Sequence, residues 1–201
     1  DEDTFFEGGF RPRNYDENYH GQVSVRTALA CSYNIPAVKA AEKTGASNLL
    51  ALLRRAGLTT LDKPADFYGL GLALGNGEVR LLDLTNSYAA LARGGVYKPV
   101  AAALNPVITL PGRETRVFSE QTAYLITDIL SDNNARAPAF GLNSPLFMAF
   151  PLAAKTGTSK DYKDNFTVGY TPRWTIGVWV GNFNAQPMQK VSGVTGAGPI
   201  M

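Results

Sequence analysis

The sequence holds one histidine, His20, and one cysteine, Cys31, among 201 residues, and these scarcities remove much of catalysis at once. A single histidine builds neither a Ser-His-Asp triad nor a histidine metal cluster. A single cysteine forms no internal disulfide, leaves the redox compartment open, and suits a buried structural thiol. Basic runs are equally scarce. Nineteen Lys and Arg face 17 Asp and Glu, and no run exceeds the pair Arg54-Arg55, so nucleic acid is a poor partner. No stretch approaches the roughly 20 uninterrupted apolar residues of a membrane span. The acidic start Asp1-Glu2-Asp3 lacks the basic, then apolar, profile of a signal peptide. Any export signal is therefore expected outside this chain. Glycines 69, 71, 75 and 77 lack the third glycine or the Gly-Lys-Ser/Thr of a phosphate loop, and they read as a helix-packing loop. Glu78 and Asp83 read as solvated carboxylates, and nothing in the sequence asks for a metal or a cofactor.

What is present is a globular composition, 45% hydrophobic, arranged as helices first and strands last. Residues 1–20, with Gly8-Gly9, Pro12 and Asn14, read as an irregular or extended lead-in. Residues 21–135 read as a mainly helical lobe. Helical patterns run from about Val23 to Cys31, Pro36 to Lys43 and Ser47 to Ala56, with Gly45 separating the last two and Gly57 closing the third. Leu81, Leu82, Leu84, Tyr88 and Leu91 form another helical stripe, and Ser119 caps a helix carrying Leu125, Ile126, Ile129 and Leu130 on one side. From 150 to 185 the period changes to two. Strands are expected near 152–159, 164–171 and 173–182, with Thr171-Pro172-Arg173 turning the second back on the third. The order predicts an α+β fold with an antiparallel sheet, followed by a cut-off segment over 186–201.

The chemistry concentrates in Lys155-Thr156-Gly157-Thr158-Ser159, a cation, hydroxyls and a glycine on one strand. In extended backbone Lys155 and Gly157 point one way and Thr156 and Thr158 the other. A ligand touching both sets lies along an exposed strand edge, which suits a peptide with a free carboxylate. With histidine excluded, the remaining acyl-transfer chemistry is serine with lysine as proton handler. Ser32-Tyr33-Asn34 sits where two expected helices meet, so its hydroxyl and amide can project into a cleft. A second Ser-x-Asn, at Ser131-Asp132-Asn133, lies only 24 residues before Lys155 and reads as a helix end and turn. Ser32 lies 123 residues before Lys155.

Ser32-Tyr33-Asn34-Ile35-Pro36-Ala37-Val38, taken with the lysine strand, resembles the bifunctional (class A) penicillin-binding proteins. The resemblance continues through Leu74-Gly75-Asn76-Gly77-Glu78-Val79 and Tyr88-Ala89-Ala90-Leu91-Ala92. Arg136 to Gly141 and Gly177 to Gly181 look most like the 1C type. The resemblance implies a β-lactamase/transpeptidase-like fold and three motifs: Ser-x-x-Lys, Ser-x-Asn and Lys-Thr-Gly. None of the nine serines has lysine three residues on. The lead-in, Pro12-Arg13-Asn14-Tyr15-Asp16 and Gly21-Gln22-Val23-Ser24, resembles the stretch between the first two motifs, so the chain is expected to be incomplete on its N-terminal side.

By the same resemblance, Ser32 relays a proton with Lys155 favouring its hydroxyl as donor. Asn34 binds the substrate's side amide, Thr156 and Thr158 take a terminal carboxylate, and Gly157 lets the ligand backbone approach. The implied partners are D-Ala-D-Ala stem peptides of peptidoglycan and β-lactams. The implied parent is a membrane-anchored synthase with a glycosyltransferase domain and this domain in the periplasm. The chain alone is expected to be inactive and prone to self-association. A β-lactamase or β-lactam sensor, or a noncatalytic binding module, stands as the alternative.

Overall fold

The structure is a computed structural model, and it describes residues 1–101 and 113–201. The stretch 102–112 of the expected helical lobe lies outside the described residues. Seven α-helices occur among the described residues: α1 (Val25–Ala30), α2 (Asn34–Thr44), α3 (Ala46–Arg55), α4 (Ala65–Tyr68), α5 (Leu81–Ala92), α6 (Glu120–Ser131) and α7 (Asn133–Phe140). Short strands β1 (Val96–Tyr97) and β2 (Thr115–Arg116) pair with each other, and β3 (Ala153–Thr158), β4 (Asp164–Tyr170) and β5 (Thr175–Gly181) form the main sheet.

Caps explain most boundaries. Ser24 and Ser119 accept hydrogen bonds from Thr27 N and Thr122 N at the starts of α1 and α6. Gly45, at φ 83°, ends α2 and opens α3 in one residue. Pro36 falls at the third position of α2, where its missing N–H costs nothing. Four elements escaped the sequence pattern. α4 is one turn, β1 and β2 are two residues each, and α7 is an eight-residue helix that contains Pro138. Ser131 does end α6 as expected, yet Asp132 immediately caps α7 by accepting from Ala135 N. Three side chains also differ from expectation: Leu82 and Leu125 are exposed rather than on the buried sides of α5 and α6, and Asp83 is largely buried and bonded to Arg80 rather than solvated.

The main sheet is antiparallel in the order β3-β4-β5, and its register assigns each face. Lys155 pairs with Val168, Ala153 with Tyr170 and Gly157 with Phe166, so these six share a face. That face packs on helices. Leu130, Ala153 and Tyr170 form a buried cluster with Leu29, Tyr88 and Ile126 around it, and the Tyr170 hydroxyl lies 3.0 Å from Thr127 Oγ1. The opposite face carries Thr156, Thr158, Asn165 and Thr167. Asn165 and Thr167 are fully buried there beneath the C-terminal segment. A second core, formed by Leu50, Leu58, Leu61, Tyr68 and Leu72, holds α3 against the glycine-rich turn, which supports the packing role expected of that loop.

Candidate active site

The Ser32 loop is built by the end of α1. Ser32 N donates to Leu29 O and Tyr33 N to Ala28 O, the paired bonds of a Schellman motif. That motif needs a left-handed residue at Ser32, and Ser32 has φ 61° where glycine is the usual occupant. The strain turns the hydroxyl out of the helix and toward the sheet. Lys155 Nζ, from the helix-packed face of β3, donates to Ser32 Oγ and also to Thr156 O at 2.8 Å. Burial pushes the Lys155 ammonium down to about 8. The two residues singled out across 123 positions therefore meet in a partly desolvated, directly hydrogen-bonded pair.

Asn34 begins α2, and the lead-in holds it on two sides. Its Nδ2 donates to Arg13 O at 2.7 Å, while Asn14 Oδ1 accepts from Asn34 N at 2.9 Å. Asn14 is almost wholly buried, and its Nδ2 donates to Asp1 Oδ2 and Asn18 O. A polar asparagine in an irregular segment gave no sequence signal beyond a turn, so this cap in trans is visible only in the fold. His20 stacks on Tyr33 at a 4.0 Å centroid separation, which gives the lone histidine a packing partner beside the same loop. Cys31 is buried and donates to Ala135 O.

Thr156, Gly157 and Thr158 lie along β3, which has β4 as its only strand partner among the described residues. The Ser32 loop meets this strand through the bond from Lys155 Nζ to Ser32 Oγ. Thr156 and Thr158 point away from Lys155, as the alternation requires, and both keep partial access to solvent. Thr158 Oγ1 accepts from Gly193 N at 2.9 Å, a contact that no sequence pattern indicated. The arrangement thus joins Ser32 to Lys155 on one face of β3 and sets two threonine hydroxyls on the other, with Asn34 two residues beyond Ser32 at the start of α2.

Residues 1–195 match the family described as the penicillin binding protein transpeptidase domain. The chain belongs to that family. Penicillin-binding protein 1C of Escherichia coli (strain K12) is 34% identical over 194 residues, covering 96% of this chain and 24% of the relative. Penicillin-binding protein 1B of Vibrio cholerae is 30% identical, covering 92% of this chain and 24% of the relative. The chain therefore spans about a quarter of the length of these penicillin-binding proteins. Among solved structures, penicillin-binding protein 1A from Haemophilus influenzae superposes with a TM-score of 0.73 at 22% identity, over 98% of this chain and 36% of that one. Penicillin-binding protein A from M. tuberculosis, solved as an imipenem acyl-enzyme complex, gives 0.68 at 21% identity over 98% of this chain. These likenesses establish the α+β, transpeptidase-like fold.

Proposed function

We propose that this chain contributes the Ser-x-Asn and Lys-Thr-Gly walls of a serine D,D-transpeptidase in a peptidoglycan synthase. The observation that carries the reading is the hydrogen bond from Lys155 Nζ to Ser32 Oγ. With its amine as donor there, the Ser32 hydroxyl is free to give its proton to a leaving amine and to recover one from the acyl-enzyme serine or its lysine. Those two groups belong to a Ser-x-x-Lys motif that these 201 residues do not contain. The reaction is acyl transfer. A D-Ala-D-Ala stem peptide acylates the serine, D-Ala leaves with the relayed proton, and an amine of a neighbouring stem resolves the ester.

Asn34, oriented by Arg13 O, offers Oδ1 to a substrate side amide. Thr156 and Thr158 donate to the terminal carboxylate, with Gly157 giving the ligand backbone room to pair with β3. The Thr158 N–H completes an oxyanion hole with the absent serine's N–H, an effect of about 3 to 4 kcal/mol in enzymes of this kind. β-Lactams enter as carboxylate-bearing mimics of the same peptide. Residues 1–201 then form part of one transpeptidase domain: a lead-in over 1–20, a helical lobe over 21–135, strands over 150–185 and a terminal segment beyond. The parent is membrane-anchored, with a glycosyltransferase domain and this domain in the periplasm.

Fluorescent penicillin tests the reading. The parent protein is expected to label covalently and lose the label on substitution of Ser32 or Lys155, while the 201-residue chain alone takes up none. Covalent labelling of the chain alone overturns the assignment of the nucleophile to a separate segment.

A further inference from the structure

The C-terminal segment sits on the threonine face of the sheet, and Gly193 is the residue of it that hydrogen-bonds both strand hydroxyls. Thr158 Oγ1 accepts its N–H at 2.9 Å, and Thr167 Oγ1 donates to its C=O, also at 2.9 Å. Gly198 N donates to the same carbonyl at 2.8 Å, so the Gly193 peptide is held at both ends. The residue lies flat on the strands. A Cβ built on it comes within 2.6 Å of Gly157 O and 2.7 Å of Phe166 O, both rigid backbone atoms. Its φ is not in the left-handed region, so the demand for glycine here is steric rather than conformational. Turn bonds from Thr195 N and Gly196 N to Ser192 O keep the approach narrow.

A threonine hydroxyl has one hydrogen and two acceptor sites. At Thr158 one acceptor site is filled by a buried peptide N–H, and no protein group among the described residues takes its hydrogen. The O–H is therefore turned away from Gly193, toward the accessible side of the strand, and it is polarised by the bond it accepts. A carboxylate can only accept, so this is the state of Thr158 that an anionic ligand end requires.

We propose that Gly193 is a positioning residue that sets Thr158 as a hydrogen-bond donor to the carboxylate of the substrate. The inference rests on the reading of Thr158 as a carboxylate ligand in the parent transpeptidase. It assigns a role in recognition to the Ser192-Gly193-Val194-Thr195-Gly196 turn, which lies outside the three motifs.

Acylation of the parent by benzylpenicillin and by its methyl ester separates the possibilities, because the ester keeps the reactive ring and lacks the charged carboxylate. Thr158→Val is expected to lower the acid-to-ester rate ratio about tenfold or more, the scale of one hydrogen bond to a charged group. Gly193→Ala is expected to lower the same ratio, while a purely structural defect lowers both rates together. If Thr158→Val leaves the ratio unchanged, the carboxylate role of Thr158 is wrong. If Thr158→Val collapses the ratio and Gly193→Ala does not, the role of Gly193 is wrong. A measurement independent of ligand and of the folding of Gly193→Ala uses amide hydrogen exchange in the 201-residue chain. The Gly193 N–H is expected to exchange at least tenfold faster in Thr158→Val and at the original rate in Thr158→Ser, and equal rates in all three proteins overturn the proposal.

Discussion

Lys155 Nζ donates a hydrogen bond to Ser32 Oγ, joining an edge strand to the loop between α1 and α2. Neither residue is placed by its local sequence alone. Ser32 is held by the Schellman end of α1, and Lys155 by its register opposite Val168 on the helix-packed face of β3. The pair is thus a point where two independently formed elements must agree.

The buried ammonium gives stability a pH dependence of known sign. Lys155 falls from an ordinary lysine value to about 8 in the folded chain, so between pH 8 and 10.5 the unfolded chain binds more protons. Its burial cost is fully present below pH 8 and disappears as pH rises through the unfolded value. Lys155→Met is expected to raise the unfolding free energy of the chain at pH 7, by up to about 3 kcal/mol at 1.36 kcal/mol per pK unit. The gain should shrink to near zero by pH 10.5. Urea titrations at both pH values check this, and a gain that grows with pH contradicts it.

The left-handed backbone at Ser32 separates conformational cost from side-chain chemistry. Ser32→Ala keeps the strained φ of 61°, whereas Ser32→Gly removes the penalty of about 1 kcal/mol for a side chain in that region. The glycine variant should be the more stable of the two by thermal melting. Both should abolish penicillin labelling of the parent, since both lose the hydroxyl that Lys155 reaches.

Asn14 couples the lead-in to the site. Asn14→Ala removes the acceptor for Asn34 N and leaves the start of α2 uncapped, a loss of about 1 to 2 kcal/mol. Asn14→Asp keeps Oδ1 as the cap but sets its other oxygen against two acceptors, Asp1 Oδ2 and Asn18 O, so it is expected to be no more stable than Asn14→Ala, measured by denaturant unfolding.

Gly177 marks the contact of β5 with α5. A Cβ there falls 2.0 Å from Thr85 Oγ1 and 3.2 Å from Thr85 Cβ. Gly177→Ala should destabilise the chain by roughly 1 to 3 kcal/mol through overpacking. Adding Thr85→Ala should restore part of the loss, and a double-mutant cycle with no coupling would place the clash elsewhere.

The sheet also has apolar surface at its far edge. Trp174 is 73% and Ile176 46% exposed at the start of β5, and β5 has β4 as its only strand partner among the described residues. Such an edge is a template for pairing with another chain. Sedimentation velocity over a hundredfold concentration range is expected to show association of the isolated chain, diminished by Trp174→Lys.

Much of the fold was legible because its signals are local. The alternation from Trp174 to Val180 and from Phe166 to Tyr170 marks strands, and Thr171 N does bond to Trp174 O across the turn between them. Gly45 and Ser119 mark helix boundaries by conformational freedom and by capping. α7 was hidden because Pro138 breaks the local pattern while packing retains the helix, and β1 and β2 were hidden because two residues carry no period.

By itself the sequence determined the chemistry available to this protein. One histidine and one cysteine excluded a histidine triad and an internal disulfide and left serine with lysine as the candidate pair, and strand periodicity decided that Lys155 and Thr156 point to opposite faces. Tertiary structure decided which groups meet and in what state. Sequence period cannot report that Asn14 caps a helix 20 residues away, that burial lowers the Lys155 pKa, or that Gly193 fills one acceptor site of Thr158. Those facts arise from non-local hydrogen bonding and desolvation, which exist only once the chain has closed around them.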